Sequence, residues 1–301
     1  MVEPRRSLTL AVLAALACAG AAGAATKVLT EGESADTGSR SVEVPAGVRA
    51  RGIDTGSGDV RLGAGAEVRG IDTGSGNVQL GEGAKSGRID TGSGEVDLAD
   101  NAGSGDIDTG SGNVRLGNGA RTGMIDTGSG DIRGGVRVFI DGRIDTGSGN
   151  VTLGSGSTVR GKIDTGSGDV RLDGTTVEGE IDTGSGDVVL SQSTIERTID
   201  TGSGHIRLQD SQARDELITT SGKVEVLGNS SVQGRIVVRE PKCWGWCDRV
   251  KPARIILGAQ AKVPAGIVVE HEAEIWAHDS AQIGPVTGAS VQRFSGEAPA
   301  R

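Results

Sequence analysis

The stretch Ile53-Asp54-Thr55-Gly56-Ser57-Gly58-Asp59-Val60-Arg61-Leu62 decides the fold, because its first six residues return at a nearly fixed interval. Ile-Asp-Thr-Gly-Ser-Gly begins again at Ile71, Ile89, Ile107, Ile125, Ile144, Ile163, Ile181 and Ile199, at steps of 18, 18, 18, 18, 19, 19, 18 and 18 residues. Worn copies stand at Ala35-Asp36-Thr37-Gly38-Ser39-Arg40 and at Leu217-Ile218-Thr219-Thr220-Ser221-Gly222, which makes eleven consecutive units. A short fixed period over most of a chain is the mark of a solenoid.

Counting each Ile as position 1, Val60 and Leu62 fall at positions 8 and 10, so they share one side of a strand. Val78 and Leu80, Val96 and Leu98, Val114 and Leu116, Val170 and Leu172, and Val188 and Leu190 repeat the pair. A polar residue precedes the pair and usually another divides it, which predicts an apolar-in, polar-out strand. Ile at position 1 opens a second strand. Gly-Ser-Gly between the two is expected to supply positive φ and close backbone approach for a bend. A third side carries small residues such as Ala66, Val68, Ala84 and Ala120.

One such unit cannot bury its apolar side alone. Stacking units about 4.8 Å apart puts Ile over Ile and pairs every strand in parallel. The expected fold is therefore all-β: a single parallel β-helix of about 18 residues per coil and 11 to 13 coils. The usual crossover handedness predicts a right-handed coil. Residues 25–234 form the regular part. Residues 235–301 read as divergent coils, with a loop inserted between Arg239 and Ala253 and a C-terminal cap that uses Trp276, Phe294 and the prolines at 264, 285 and 299.

Composition agrees. Among 301 residues there are 52 Gly but only 2 Phe, 3 Trp and no Tyr, too few large side chains for an ordinary globular core of this size. The net charge of −9, spread along the chain, lacks the basic face that nucleic acid requires. Arg5 and Arg6, the apolar run Leu8 to Cys18 and the small residues Ala22-Gly23-Ala24 read as a signal peptide over 1–24. Ala15-Leu16-Ala17-Cys18 offers a rival reading as a loose lipobox. No later apolar stretch is long enough to span a membrane. The chain is expected to be exported: periplasmic, secreted or held at the cell surface.

The recurring Gly-Ser-Gly-Asp-Val-x-Leu resembles the bacterial β-solenoid family labelled as adhesins, a domain of otherwise unknown function. The resemblance is strong over about residues 35–234 and weak beyond. It implies a parallel β-helix with a non-catalytic, surface-associated role. The C-terminal coils are faintly similar to those of bactofilins, which polymerise end to end.

Asp-Thr-Gly-Ser is also the active-site string of pepsin-like proteases. Those enzymes need two aspartates from two lobes sharing a proton; nine copies at solenoid spacing give a row instead. Asp54, Asp72, Asp90, Asp108, Asp126, Asp145, Asp164, Asp182 and Asp200 should stack in one ladder, where like charges repel. Hydrogen bonds from Thr, Ser or Gly in each aspartate's own turn are the expected compensation. Calcium held between coils is the sharper alternative. Rows of Thr55 and Ser57 and their equivalents raise an ice-binding surface, although parity sends Thr to the same side as the inward Ile. Arg61, Arg115, Arg133, Arg171 and Arg207 at position 9 should point outward beside acidic position 7.

Outside the repeat, Cys243 and Cys247 suggest a disulfide closing a small loop. Zinc with His271 or His278 would need more ligands than that pair supplies. Trp244 and Trp246 in the same loop are the candidate partner contacts. His205 replaces the acidic residue of one coil and reads as plain surface. Glycan-cleaving β-helices need aromatic platforms, and with no Tyr the chain reads as no enzyme and needs no cofactor. The function expected is a structural or adhesive rod contacting a cell-surface or envelope component. The alternative is a self-associating, bactofilin-like envelope polymer.

Overall fold

The computed structural model describes residues 26–241 and 251–296. These residues form a β-solenoid of parallel sheets, with no helix among them. Three sheets run along the rod. The aspartate sheet stacks 14 strands from Ala35–Thr37 to Val286–Thr287 and contains every Ile-Asp-Thr triplet. The arginine sheet stacks 15 strands from Lys27–Val28 to Val291–Phe294 and contains the Val-x-Leu strands. The third sheet stacks nine two-residue strands from Arg121–Thr122 to Gln282–Ile283. Nearer the N-terminus, Glu67–Thr73 and Lys85–Thr91 run continuously around that corner. The stack outruns the 11 to 13 coils counted from the motif, because the end coils keep the pairing without keeping the hexapeptide.

Register follows the repeat. Ile53 pairs with Ile71, and Ile71 with Ile89, while Val60 and Leu62 pair with Val78 and Leu80. Most coils therefore contribute aliphatic side chains, commonly Ile, Val and Leu, to three buried columns. Burying one such side chain stabilises by about 1.5–3 kcal/mol. Ala66, Ala84, Ala102 and Ala120 fill the narrow corner of the same core.

The 19-residue steps leave these columns undisturbed. Ile140 still pairs with Thr122 on the third sheet, and Ile144 with Ile125 on the aspartate sheet. The additional residue of that coil is taken up between them, around Gly142. Length variation sits in a corner and never reaches a face.

The motif glycines bear out half of the expectation, the close approach but not the positive φ. None of those in the Thr-Gly-Ser-Gly turns has a positive φ. Their role is close approach alone: a Cβ on Gly56 would stand 2.6 Å from the Gly38 carbonyl oxygen, and one on Gly76 would overlap the Gly58 carbonyl. Positive φ belongs instead to the following turn, at Gly65, Gly83 and Gly119, with Asn101 taking that place in one coil.

The divergent end continues the stack. Ile236–Val238 lies on Leu217–Thr219, and Ala253–Leu257 lies on Lys223–Leu227, so the strands that flank the insertion keep the register of the repeat. Cys243, Trp244, Trp246 and Cys247 lie outside the described residues, as do the segment 1–24 and Pro299. Phe294 is buried edge-on against the His278 ring, with centroids 5.5 Å apart. Trp276 is half-buried in register between Ile256 and Gln292.

Candidate functional site

The aspartate sheet carries the densest chemistry. Position 2 lies between inward positions 1 and 3, so alternation turns it to solvent. All nine aspartates pair Cα to Cα with their equivalents, from Asp54 through Asp200. Asp36 extends the row at one end, and Ile218 terminates it at the other.

Position 3 carries the buried half of the motif. Thr55 and its eight equivalents are at most 1 % exposed. Their hydroxyls fasten the turn that follows: Thr55, Thr73, Thr91, Thr109, Thr127 and Thr146 accept the N–H of the second motif glycine at 2.8–3.0 Å. Thr165, Thr183 and Thr201 instead donate to that glycine's carbonyl at 2.6–2.9 Å. A buried threonine row leaves only Ser57 and its equivalents outside, so the two-row hydroxyl surface required for ice matching is not formed.

Repulsion along the aspartate row is offset from outside each turn, contrary to the expectation of local hydrogen bonds. The residue just before the Ile lies two positions from Asp and points the same way. Arg88 there reaches Asp90 at 3.0 Å and Asp108 at 3.1 Å. Arg143 reaches Asp126 at 3.5 Å and Asp145 at 3.8 Å, and Lys162 reaches Asp164 at 2.6 Å. Arg239, from the divergent coil, reaches back to Asp200 at 2.9 Å. Exposed pairs like these contribute little individually; their effect is to break up a line of like charge.

At two places where that preceding residue is small or acidic, the row opens. Gly52 and Gly70 replace the cation and leave a shallow groove of about 630 Å3 bounded by Asp54, Asp72, Asp90, Arg69 and Arg88. Partial burial, then the charges of Asp90 and Asp54, raise the Asp72 carboxyl above the ordinary range. Further along, Glu180, Asp182, Asp200 and Glu216 surround a groove of about 270 Å3 with Arg239 on its edge. Burial, then Asp164, Asp200 and Glu180, raise Asp182. Burial also raises Asp200, against the pull of Arg239. Among the described residues, no group of three or more His, Cys, Asp or Glu is arranged to hold a metal ion. The calcium alternative finds no cage in the row.

The arginine sheet shows what the sequence reading missed. Arg133 and Arg171 pair with Asp131 at 2.6 Å and Asp169 at 2.8 Å, as their spacing predicts. Arg61 reaches Asp59 at 3.7 Å, Arg115 reaches Glu95 at 2.7 Å, and Arg207 reaches Glu225 at 3.4 Å. Position 7 has a second task, however. Asp59 accepts the backbone N–H of Asn77, Asn77 that of Glu95, Asn113 that of Asp131, and Asp131 that of Asn150, at 2.9–3.0 Å. Asn150, Asp169 and Asp187 continue the series at 2.8–3.0 Å. His205 takes its place in it, with Nδ1 accepting the N–H of Lys223 at 3.0 Å. This histidine is a rung of the ladder rather than plain surface. The signal was the run of Asp and Asn before Val; only stacking reveals the acceptor role.

His278 does not stand free for zinc: its Nδ1 accepts the N–H of Ser280 at 3.0 Å and lies 2.8 Å from that residue's hydroxyl. No helix among the described residues is long and apolar enough to cross a membrane.

Part of the chain is similar to a known family. The family model described as Toastrack DUF4097, a domain of unknown function, matches residues 120–237. That span covers the middle coils, including both 19-residue steps, and carries no adhesin label. No curated protein and no solved structure matches the chain.

Proposed function

We propose that the chain is an exported, non-catalytic structural rod that presents its charged faces to a component of the cell envelope, with adhesion as its mode of contact. The observation that carries this reading is the continuity of the ladder. From Ala35 to Val286 the aspartate sheet is one unbroken stack, tied from coil to coil by Arg88, Arg143 and Arg239, and the two grooves along it are lined by carboxylates of one row. The chemistry needed for turnover is a nucleophile, base and stabilising donors converging on one point; the aspartate row spreads its groups along a line. The signal-like arrangement of Arg5, Arg6, Leu8 to Cys18 and Ala22-Gly23-Ala24 supports export.

Cell fractionation followed by crosslinking of the intact protein tests it. Recovery outside the cytoplasm, linked to an envelope component through lysines or carboxylates of the rod, is the expected result. Recovery in the cytoplasm, or turnover by the purified protein that one point substitution abolishes, overturns it.

A further inference from the structure

At both ends of the arginine sheet a cation stands where the middle of the sheet carries inward apolar residues. Along the arginine sheet, positions 8 and 10 are aliphatic and buried from Val42 and Val44 onward, through Val60 and Leu62 to Ile255 and Leu257, with Gly134 the one exception. In the first described strand, Lys27 stands in register over Val42, in the position 8 column. Its ammonium turns back across the end of the rod and donates to the Ser34 carbonyl at 3.0 Å. In the last described strand, Arg293 stands in register over Ala277, in the position 10 column. Its guanidinium donates to the carbonyls of His278 at 3.0 Å and Ala281 at 3.3 Å.

Every other rung of this sheet offers the next coil a surface that a copy of itself would match. An exposed edge of that kind is a template for strand addition, and an inward-pointing charge is a recognised way to blunt one. We propose that Lys27 and Arg293 close the rod at both ends, so that copies of this chain do not stack coil upon coil. A head-to-tail junction would set Val291 over Lys27 and Arg293 over Leu29. The two cations would then lie diagonally across one pair of strands, within about 7–8 Å, each pressed into an aliphatic column. Burying a charge that way is strongly unfavourable. Contacts with partners are left to the long faces of the rod. This rests on the rod reading above, and it decides against the end-to-end polymer as its alternative.

Sedimentation velocity and negative-stain microscopy of the full chain test the inference. For the wild type, the expected result is a sedimentation coefficient that does not rise with concentration, together with single elongated particles. The double variant Lys27→Val with Arg293→Leu restores the aliphatic columns, and its sedimentation coefficient should rise with concentration as particles lengthen in whole-rod steps. The charge-keeping pair Lys27→Arg with Arg293→Lys should behave as the wild type does. A folded double variant that stays single overturns the proposal. So do end-joined filaments of the wild type, a result that needs no variant to fold. Compact rather than elongated single particles would instead defeat the rod reading, and the two failures are told apart on the same grids.

Discussion

Oδ1 of Asp131 accepts the backbone N–H of Asn150, its equivalent one coil further along, at 2.9 Å. The bond replaces a carbonyl where the chain leaves a turn and has not yet entered the strand, so the ladder stays complete across the corner. Asp131→Ala strands that partly buried N–H, and the loss should be about 1 kcal/mol, the lower end of the cost of leaving a buried donor unpaired. Asp131→Asn keeps the acceptor and should lose much less. Urea unfolding of the two variants beside the wild type checks the difference, which vanishes if the side chain serves only its ion pair with Arg133.

A related test addresses the inward threonines. Thr127 accepts the Gly130 N–H at 2.8 Å inside the core. Thr127→Val preserves shape but removes the acceptor, and a loss of about 1–3 kcal/mol is expected. Thr127→Ser should recover most of it. Equal stability of the valine variant and the wild type in thermal unfolding would show that the hydroxyl is idle.

Two kinds of glycine predict two kinds of damage. Gly76→Ala forces a methyl group into the Gly58 carbonyl, and no side-chain movement relieves a clash with backbone. About 3 kcal/mol or more is expected, the upper end for overpacking. Gly65 has open space around its missing Cβ but a φ of 66°. Gly65→Ala should cost only about 1 kcal/mol, the scale of a side chain held at positive φ. Gly65→Asn should cost less still, since Asn101 already occupies the equivalent place. Melting temperatures ranked in any other order would contradict the division.

The pH dependence separates the two acidic ladders. Asp182 has a folded carboxyl raised above its unfolded value, chiefly by burial and then by its acidic neighbours. Its contribution is therefore fullest below the unfolded value and is lost as pH rises through the raised one. Asp182→Asn should melt above the wild type at neutral pH, with the difference shrinking as pH falls below the ordinary carboxylate range of about 3.9. Asp131 has the opposite sign: its backbone bond from Asn150, helped by Arg133, holds its carboxyl low. Its stabilisation is present above the unfolded value and disappears as pH falls through the lowered one. An Asp182→Asn difference that grows on acidification would refute the assignment.

How far the chain could be read in advance depended on whether a feature was local or arose from stacking. The inward columns and the alignment of Asp54 with Asp72 follow from period and alternation alone, and both are as expected. The role of Gly76 was half legible. Its lack of a side chain matters, but the obstacle is the Gly58 carbonyl 18 residues away, and no local conformational rule names it. The partners of the aspartates escaped for the same reason: Arg88 bridges Asp90 and Asp108, and Arg239 reaches a residue 39 positions earlier. His205 looked like an exception because its chemistry differs from Asp, whereas the task at that position is only to offer a lone pair to the N–H above.

Because the corners absorb additional residues and the faces keep their columns, each middle coil offers upward the same surface that it receives from below. Excising one whole unit, or duplicating it, would leave every remaining junction of a type the rod already contains. The change would be a shift of about 4.8 Å in span, with the composition of the faces nearly the same. A molecule built this way can be retuned like a measuring rule, its reach set by how many identical divisions it holds.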